Sequence, residues 1–160
     1  LEKDLTEWID RLSKFHPELD GFNICPFARK AQENDGILIG YIGYECNDYI
    51  SRFIESSSDY EIILFYNLEK NLTDSDLIDI ITSLQKNYPS LIFLKDHPDN
   101  PGMINGVETG NKKYPIILAQ PKDELIKARN KLKKSKYYDK WTDEYKHEIW
   151  GYGNDEGTES

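Results

Sequence analysis

Three uninterrupted apolar runs of strand length constrain this chain more than any other feature. Glu61–Tyr66, Leu91–Lys95 and Ile116–Ala119 are too short for helices, and they lack the alternation of a strand with one wet face. Runs of this kind read as strands buried on both sides of a sheet. Between the first two, Thr73 is a helix N-cap with Asp76 in the first turn. Leu77, Ile78, Ile80, Ile81 and Leu84 then follow at helical spacing. Upstream, Asn34-Asp35-Gly36 breaks the chain before a further strand, Ile37–Ile42. Asn47 opens a helix carrying Ile50, Phe53 and Ile54. From Gly36 the order is strand, helix, strand, helix, strand, loop, strand, helix. Helical crossovers make the first three strands parallel, and the fourth, reached through a loop, is expected to run antiparallel to the third. The predicted class is α/β, a single mixed four-stranded sheet flanked by helices.

The flanks complete one domain. Leu5, Trp8, Ile9, Leu12 and Phe15 predict an amphipathic helix over residues 4–15, stopped by Pro17. Pro26 suits the first position of a short helix through Ala31. Asp123–Lys134 reads as a basic helix, and Thr142 caps a last one ending near Trp150. Asp96–Lys113 carries no periodic pattern and is expected to be a long loop. At 160 residues the chain fits one domain, placed at 1–152, with an acidic flexible tail at 153–160.

This order resembles the thioredoxin-like fold, in which a proline precedes the strand after the long loop. Tyr114-Pro115 stands at that place and admits a cis peptide bond. A thioredoxin-type enzyme carries its cysteines after the strand equivalent to Glu61–Tyr66. Here that turn reads Asn67-Leu68-Glu69-Lys70-Asn71, so disulfide exchange of that type is not supported. A ferredoxin-like α+β sandwich is the alternative fold.

Charge narrows the partners. The net charge is −9, yet Lys112–Lys140 carries ten Lys/Arg against three acids, which leaves −16 on the remainder. An acidic body repels nucleic acid and anionic membranes, so neither duplex nucleic acid nor a membrane is an expected partner. The expected partner is a protein or a small molecule, its identity unknown. A bilayer needs about 20 apolar residues in a row, and no run here approaches that. Two cysteines, Cys25 and Cys46, suit a reducing compartment, and no signal peptide is visible, so the cytoplasm is the expected location.

Two segments concentrate chemistry. In Asn23-Ile24-Cys25-Pro26-Phe27-Ala28 a cysteine precedes a proline at a helix start, where unpaired N–H groups favour a thiolate. The segment also resembles the Leu-Asn-Leu-Cys-Pro-Phe-Ala signature of a bacterial family, a resemblance that implies no particular activity. The bland reading makes Cys25 a buried thiol packed with Phe22 and Phe27. The second segment runs from Asp96-His97-Pro98-Asp99 through Asn105, Glu108 and Asn111, and starts at the end of a strand, where open α/β sheets place ligands. His97 is a candidate base, and Asp99 sits beside it; in the bland reading both cap turns. No zinc spacing, phosphate-cradling Gly-x-x-x-x-Gly-Lys or Gly-x-Ser-x-Gly elbow is present, so no metal site and no particular cofactor is indicated.

Two functions remain. One is a non-catalytic binding module that uses the 96–111 loop as its contact surface, with Asn23, Asp96, Asn105, Glu108 and Asn111 as binding residues. The other is a thiol-dependent enzyme or redox sensor with Cys25 as nucleophile, His97 as base and Asp99 beside it. The second requires Cys25 and His97 to meet.

Overall fold

The computed structural model describes residues 2–19, 21–22, 25, 27–57, 59–104 and 106–151; of Tyr145, Glu148 and Trp150 it describes the backbone alone. The expected tail at 153–160 therefore lies outside the described residues, as do Asn23, Pro26 and Asn105. The main sheet contains β1 (Ile37–Tyr41), β2 (Ile62–Tyr66), β3 (Leu91–Asp96) and β6 (Ile116–Pro121), in the order β1-β2-β6-β3. β1 and β2 pair in parallel, and β6 runs antiparallel to both β2 and β3. The class read from the apolar runs is the class observed, and the loop-connected strand does run antiparallel to the third. The parallel β1–β2 pair separates this sheet from the antiparallel one of a ferredoxin-like sandwich.

Strand residues alternate between two faces, and each face has its own core. Ile63, Phe65, Phe93, Ile117 and Ala119 point to one side. There they meet α3 (Asn47–Ser56) through Ile50 and Ile54, and α4 (Asp74–Asn87) through Leu77, Ile81 and Leu84. Ile62, Leu64, Tyr66 and Ile116 point to the other side. They meet α1 (Glu2–Ser13) through Leu5, Trp8 and Ile9, and α2 (Ala28–Glu33) through Ala28 and Ala31. On α4 the apolar stripe runs through Leu77, Ile81 and Leu84, and Ile78 is only half-buried.

Local chemistry accounts for most boundaries. Thr73 accepts the Asp76 N–H while the Asp76 carboxylate accepts the Thr73 N–H, a reciprocal capping box. Asn47, expected as a cap, is instead the first residue of α3, and Cys46 holds the cap position without a side-chain hydrogen bond. All described peptide bonds are trans, so the cis bond admitted before Pro115 does not occur. The turn after β2 is built by Asn67, fully buried: its amide donates to Ile42 O and Asn71 Oδ1, and its carbonyl accepts the Leu72 N–H.

The 96–111 segment corrects the loop expectation. It contains a hairpin, β4 (Met103–Ile104) paired with β5 (Val107–Glu108), with Gly106 at φ +88 in its turn. An Asn-Gly pair between short apolar stretches is a hairpin signal, and Asn105-Gly106 supplies it. Ile104 is fully buried and packs with Leu19, which pins the hairpin to the body. Two more helices close the α1 side, α5 (Lys122–Lys133) and α6 (Asp143–Gly151).

Candidate functional site

The α1 face of the sheet is not fully packed. A cavity of about 180 Å³ lies between α1, α2, the sheet, α5 and the Tyr137–Trp141 turn. Its wall is mainly apolar, with Trp8, Leu64, Leu118 and Tyr138 among the lining side chains. Protein interiors seldom keep voids much larger than a water molecule. Polar groups interrupt the wall at Cys25, Asp96, Thr109 and Arg129.

Strand alternation decides which candidate residues reach this space. Asp96 follows Leu94 by two residues, and both line the cavity. His97 is one residue further on and turns to the opposite face, where Nε2 lies 2.9 Å from Leu72 O. Its Nδ1 accepts the Asp99 N–H at 3.0 Å, which assigns the proton to Nε2 as donor to Leu72. Both ring nitrogens are therefore engaged in holding the turn. The Asp99 carboxylate is exposed, 3.9 Å from Nδ1. The structure does not bring Cys25 and His97 together.

Cys25 is half-buried as a residue and packs with the α1–α2 core. Two effects compete at its thiol. Burial pushes the thiol up, and this outweighs the N–H groups of Phe27 and Ala28 that reach the sulfur and the charge of Arg129. The N–H groups at the helix start do reach the sulfur, but burial outweighs them, so at neutral pH Cys25 is a thiol. Cys46 is buried in the other core, and burial raises its thiol as well.

Asp96 closes the segment on itself. Its Oδ2 accepts the Asn111 N–H at 2.8 Å and the Asn111 side-chain amide at 2.5 Å. The same amide donates to Tyr114 O, and its oxygen accepts the N–H groups of Lys113 and Tyr114. The N–H and both side-chain polar atoms of Asn111 are thus structural. Gly110 sits against the carboxylate so closely that a Cβ there would lie 2.6 Å from Asp96 Oδ1. Burial raises the Asp96 carboxyl above its ordinary value, more than the Asn111 hydrogen bonds lower it. Next to this clasp the segment is tied to α1: the Trp8 indole donates to Thr109 O at 2.9 Å and Arg11 donates to Gly110 O. Glu108 pairs with Lys112 on the outside, at 2.5 Å. Asn23 and Asn105 lie outside the described residues.

Further groups of the cavity wall come from the C-terminal region. Arg129 is only 7% exposed, on the same face of α5 as Leu125, and it stands in the cavity wall. Tyr138 is buried beside it, its hydroxyl pushed up to about 12 by burial, with Arg129 opposing the rise. Tyr137, Tyr138 and Trp141 contact one another edge-on or tilted, with ring centroids 4.8–5.8 Å apart. One signal was available: Arg129 lies four residues after Leu125 and three before Leu132, on the apolar stripe of an otherwise lysine-rich helix. Among the described residues no cluster of three or more His, Cys, Asp or Glu is arranged to hold a metal, and no helix is long and apolar enough to cross a membrane. Compared with family models, curated proteins and solved structures, the chain matches none of them.

Proposed function

We propose that this protein is a non-catalytic binding module that takes a small, largely apolar molecule into the cavity on the α1 face. The cavity itself carries the reading. An apolar space of about 150 Å³ suffices to hold a benzene-sized guest, and the space here is somewhat larger. The 96–111 segment contributes a wall through Asp96, Gly102 and Thr109 rather than a free contact loop. A thiol enzyme centred on Cys25 is less well supported, because His97 is spent on Leu72 and Asp99 and burial keeps the thiol protonated. Cytoplasmic location fits the two free thiols. The sheet's strand directions, two parallel and then alternating, support the thioredoxin-like comparison as architecture only. Thermal unfolding with and without benzene tests the proposal. Benzene should raise the Tm of the native chain and leave unchanged that of Leu118→Trp, whose larger ring fills the space. No shift in the native chain defeats the reading.

A further inference from the structure

We propose that the outer edge of β1 docks an extended, basic segment of a partner protein, which joins the main sheet as an added strand. The inference does not depend on the cavity reading. The order β1-β2-β6-β3 leaves two edges, and the fold treats them differently. At β3 the Gln85 side chain closes the edge: its Nε2 donates to Leu91 O at 2.6 Å and its Oε1 accepts the Phe93 N–H at 3.2 Å. Among the described residues nothing comparable covers β1. The Ile42 N–H donates to Tyr66 O and Gly36 O accepts the Ile62 N–H, so the even-numbered residues of this stretch bond to β2. The backbone groups of Ile37, Ile39 and Tyr41 therefore point outward. No described strand pairs with them, and the Tyr49 hydroxyl stands 3.5 Å from Tyr41 N, at the limit of a hydrogen bond. Natural edges are commonly guarded by a charge, a proline or a bulge. Ile37-Leu38-Ile39-Gly40-Tyr41 has no charge and no proline, and it pairs with β2 without a bulge.

Charge selects the occupant. Residues 33–61, from the end of α2 through β1 and α3 to the start of β2, hold seven acids and one base, Arg52. All seven acids are exposed. Two copies paired through β1 would bring these charges together, which disfavours a second copy. A strand bearing lysine or arginine meets them favourably. The rings at the end of β1 suit the same guest. Tyr41 is 52% exposed and Tyr44 65%, and the Tyr44 hydroxyl donates to Asn71 O at 2.7 Å, so a fixed aromatic face is presented to a cation. In strand addition the main chain supplies affinity and alternate side chains supply specificity. Apolar guest residues would cover Ile37, Leu38 and Ile39, which are half-buried.

A capped peptide of about eight residues, alternating lysine and valine, tests the proposal on the intact protein. Amide hydrogen exchange during the titration should show the N–H groups of Ile37, Ile39 and Tyr41 becoming protected. Those of Leu38 and Gly40, which face β2, should change little. Glutamate in place of lysine in the peptide should abolish binding. Asp35→Asn, Glu45→Gln and Asp48→Asn together, all at exposed positions, should weaken it about tenfold. Methyl groups on two neighbouring peptide nitrogens block both edges of the guest strand and should also abolish binding. Equal binding of the methylated peptide overturns strand addition, and equal binding of the glutamate peptide overturns the basic partner. Protection of the same amides without peptide, growing with protein concentration, would put a second copy on the edge and overturn the proposed occupant. Binding without that protection, or no binding, overturns the docking edge itself.

Discussion

The two faces of one sheet are built from the same strands and do different work. On the α3–α4 face Ile63, Phe65, Leu77, Ile81 and Phe93 are completely buried and belong to one cluster of packed side chains. On the α1 face the neighbouring residues of the same strands, Leu64 and Leu118, look into a cavity with Cys25, Asp96 and Arg129 in its wall. One residue of register separates them. The dry face supplies stability, and the other can afford a void and buried polar groups. That division also separates two neighbouring site candidates of the 96–111 segment, Asp96 facing the cavity and His97 facing the α3–α4 side.

The largest expected effect comes from the dry face. Leu77→Ala should cost about 3–5 kcal/mol, since the side chain has neighbours all round and a cavity would replace it. Leu64→Ala should cost less, about 2–3 kcal/mol, because part of its surface already faces empty space and makes no contacts there. Urea unfolding of the two variants measures the difference. Equal losses would mean that the two faces are equally packed, and the comparison would fail.

Gly110→Ala probes how tightly the α1 face is closed. The added methyl collides with Asp96 Oδ1, at 2.6 Å, and the carboxylate is held in place by Asn111. A loss of about 1–3 kcal/mol is expected, the usual cost of forcing extra volume into a tight contact. A change in Trp8 fluorescence should accompany it, because the Trp8 indole donates to the adjoining Thr109 carbonyl. A variant as stable as the native chain, with unchanged fluorescence, would show the segment to be loosely attached.

The faces should also differ in their response to acid. Burial raises the Asp96 carboxyl, so the folded state holds a proton that the unfolded chain has already released; this part of stability falls as pH rises from about 4 through the raised value. Asp74, at the start of α4, shows the opposite balance. Burial opposes its ionisation, but hydrogen bonds from Lys95 and Asn100 and the charge of Lys95 overcome it and leave the carboxyl lowered. Its contribution is present above about pH 4 and disappears as pH falls through the lowered value. Stability of the native chain relative to Asp96→Asn should therefore grow on acidification, and relative to Asp74→Asn it should shrink. Unfolding measured across the acid range checks both slopes. Slopes of the same sign would remove the electrostatic difference between the faces.

How much of this was legible depends on whether the information is local. The apolar runs around Ile63, Phe93 and Ile117 identify their strands because burial on both faces leaves no alternation. Thr73 and Asp76 announce their helix because a cap is made within four residues. The cavity is not legible in this way: Cys25, Asp96 and Arg129 are far apart in sequence, and only chain folding makes them one wall. His97 misled for a related reason. Its partners are the Leu72 carbonyl and the Asp99 N–H, backbone groups that side-chain chemistry does not reveal. The hairpin within 96–111 was legible in Asn105-Gly106, but turn-forming residues on both sides masked it as a loop.

The smallest expected effect lies on α5, where a single helix repeats the contrast between the faces. Arg129 is turned into the cavity wall, whereas Lys127, Lys131 and Lys134 are all exposed. The inward turn of Arg129 removes one cation from whatever basic surface the helix offers. At 100° per residue Lys127, Lys131 and Lys134 share a side of the helix and Lys133 lies on another, so no continuous stripe can track a phosphate backbone. Against the −16 carried by the rest of the chain, three lysines make a weak site. Replacing Lys127, Lys131 and Lys134 together by Gln should change stability by no more than about 0.5 kcal/mol, as expected for surface substitutions. The native chain should give no mobility shift with duplex DNA at physiological salt. A micromolar, salt-sensitive complex lost in the triple variant would make this outer side of α5 a functional surface, and the contrast along the helix between a working cavity wall and an inert exterior would no longer hold.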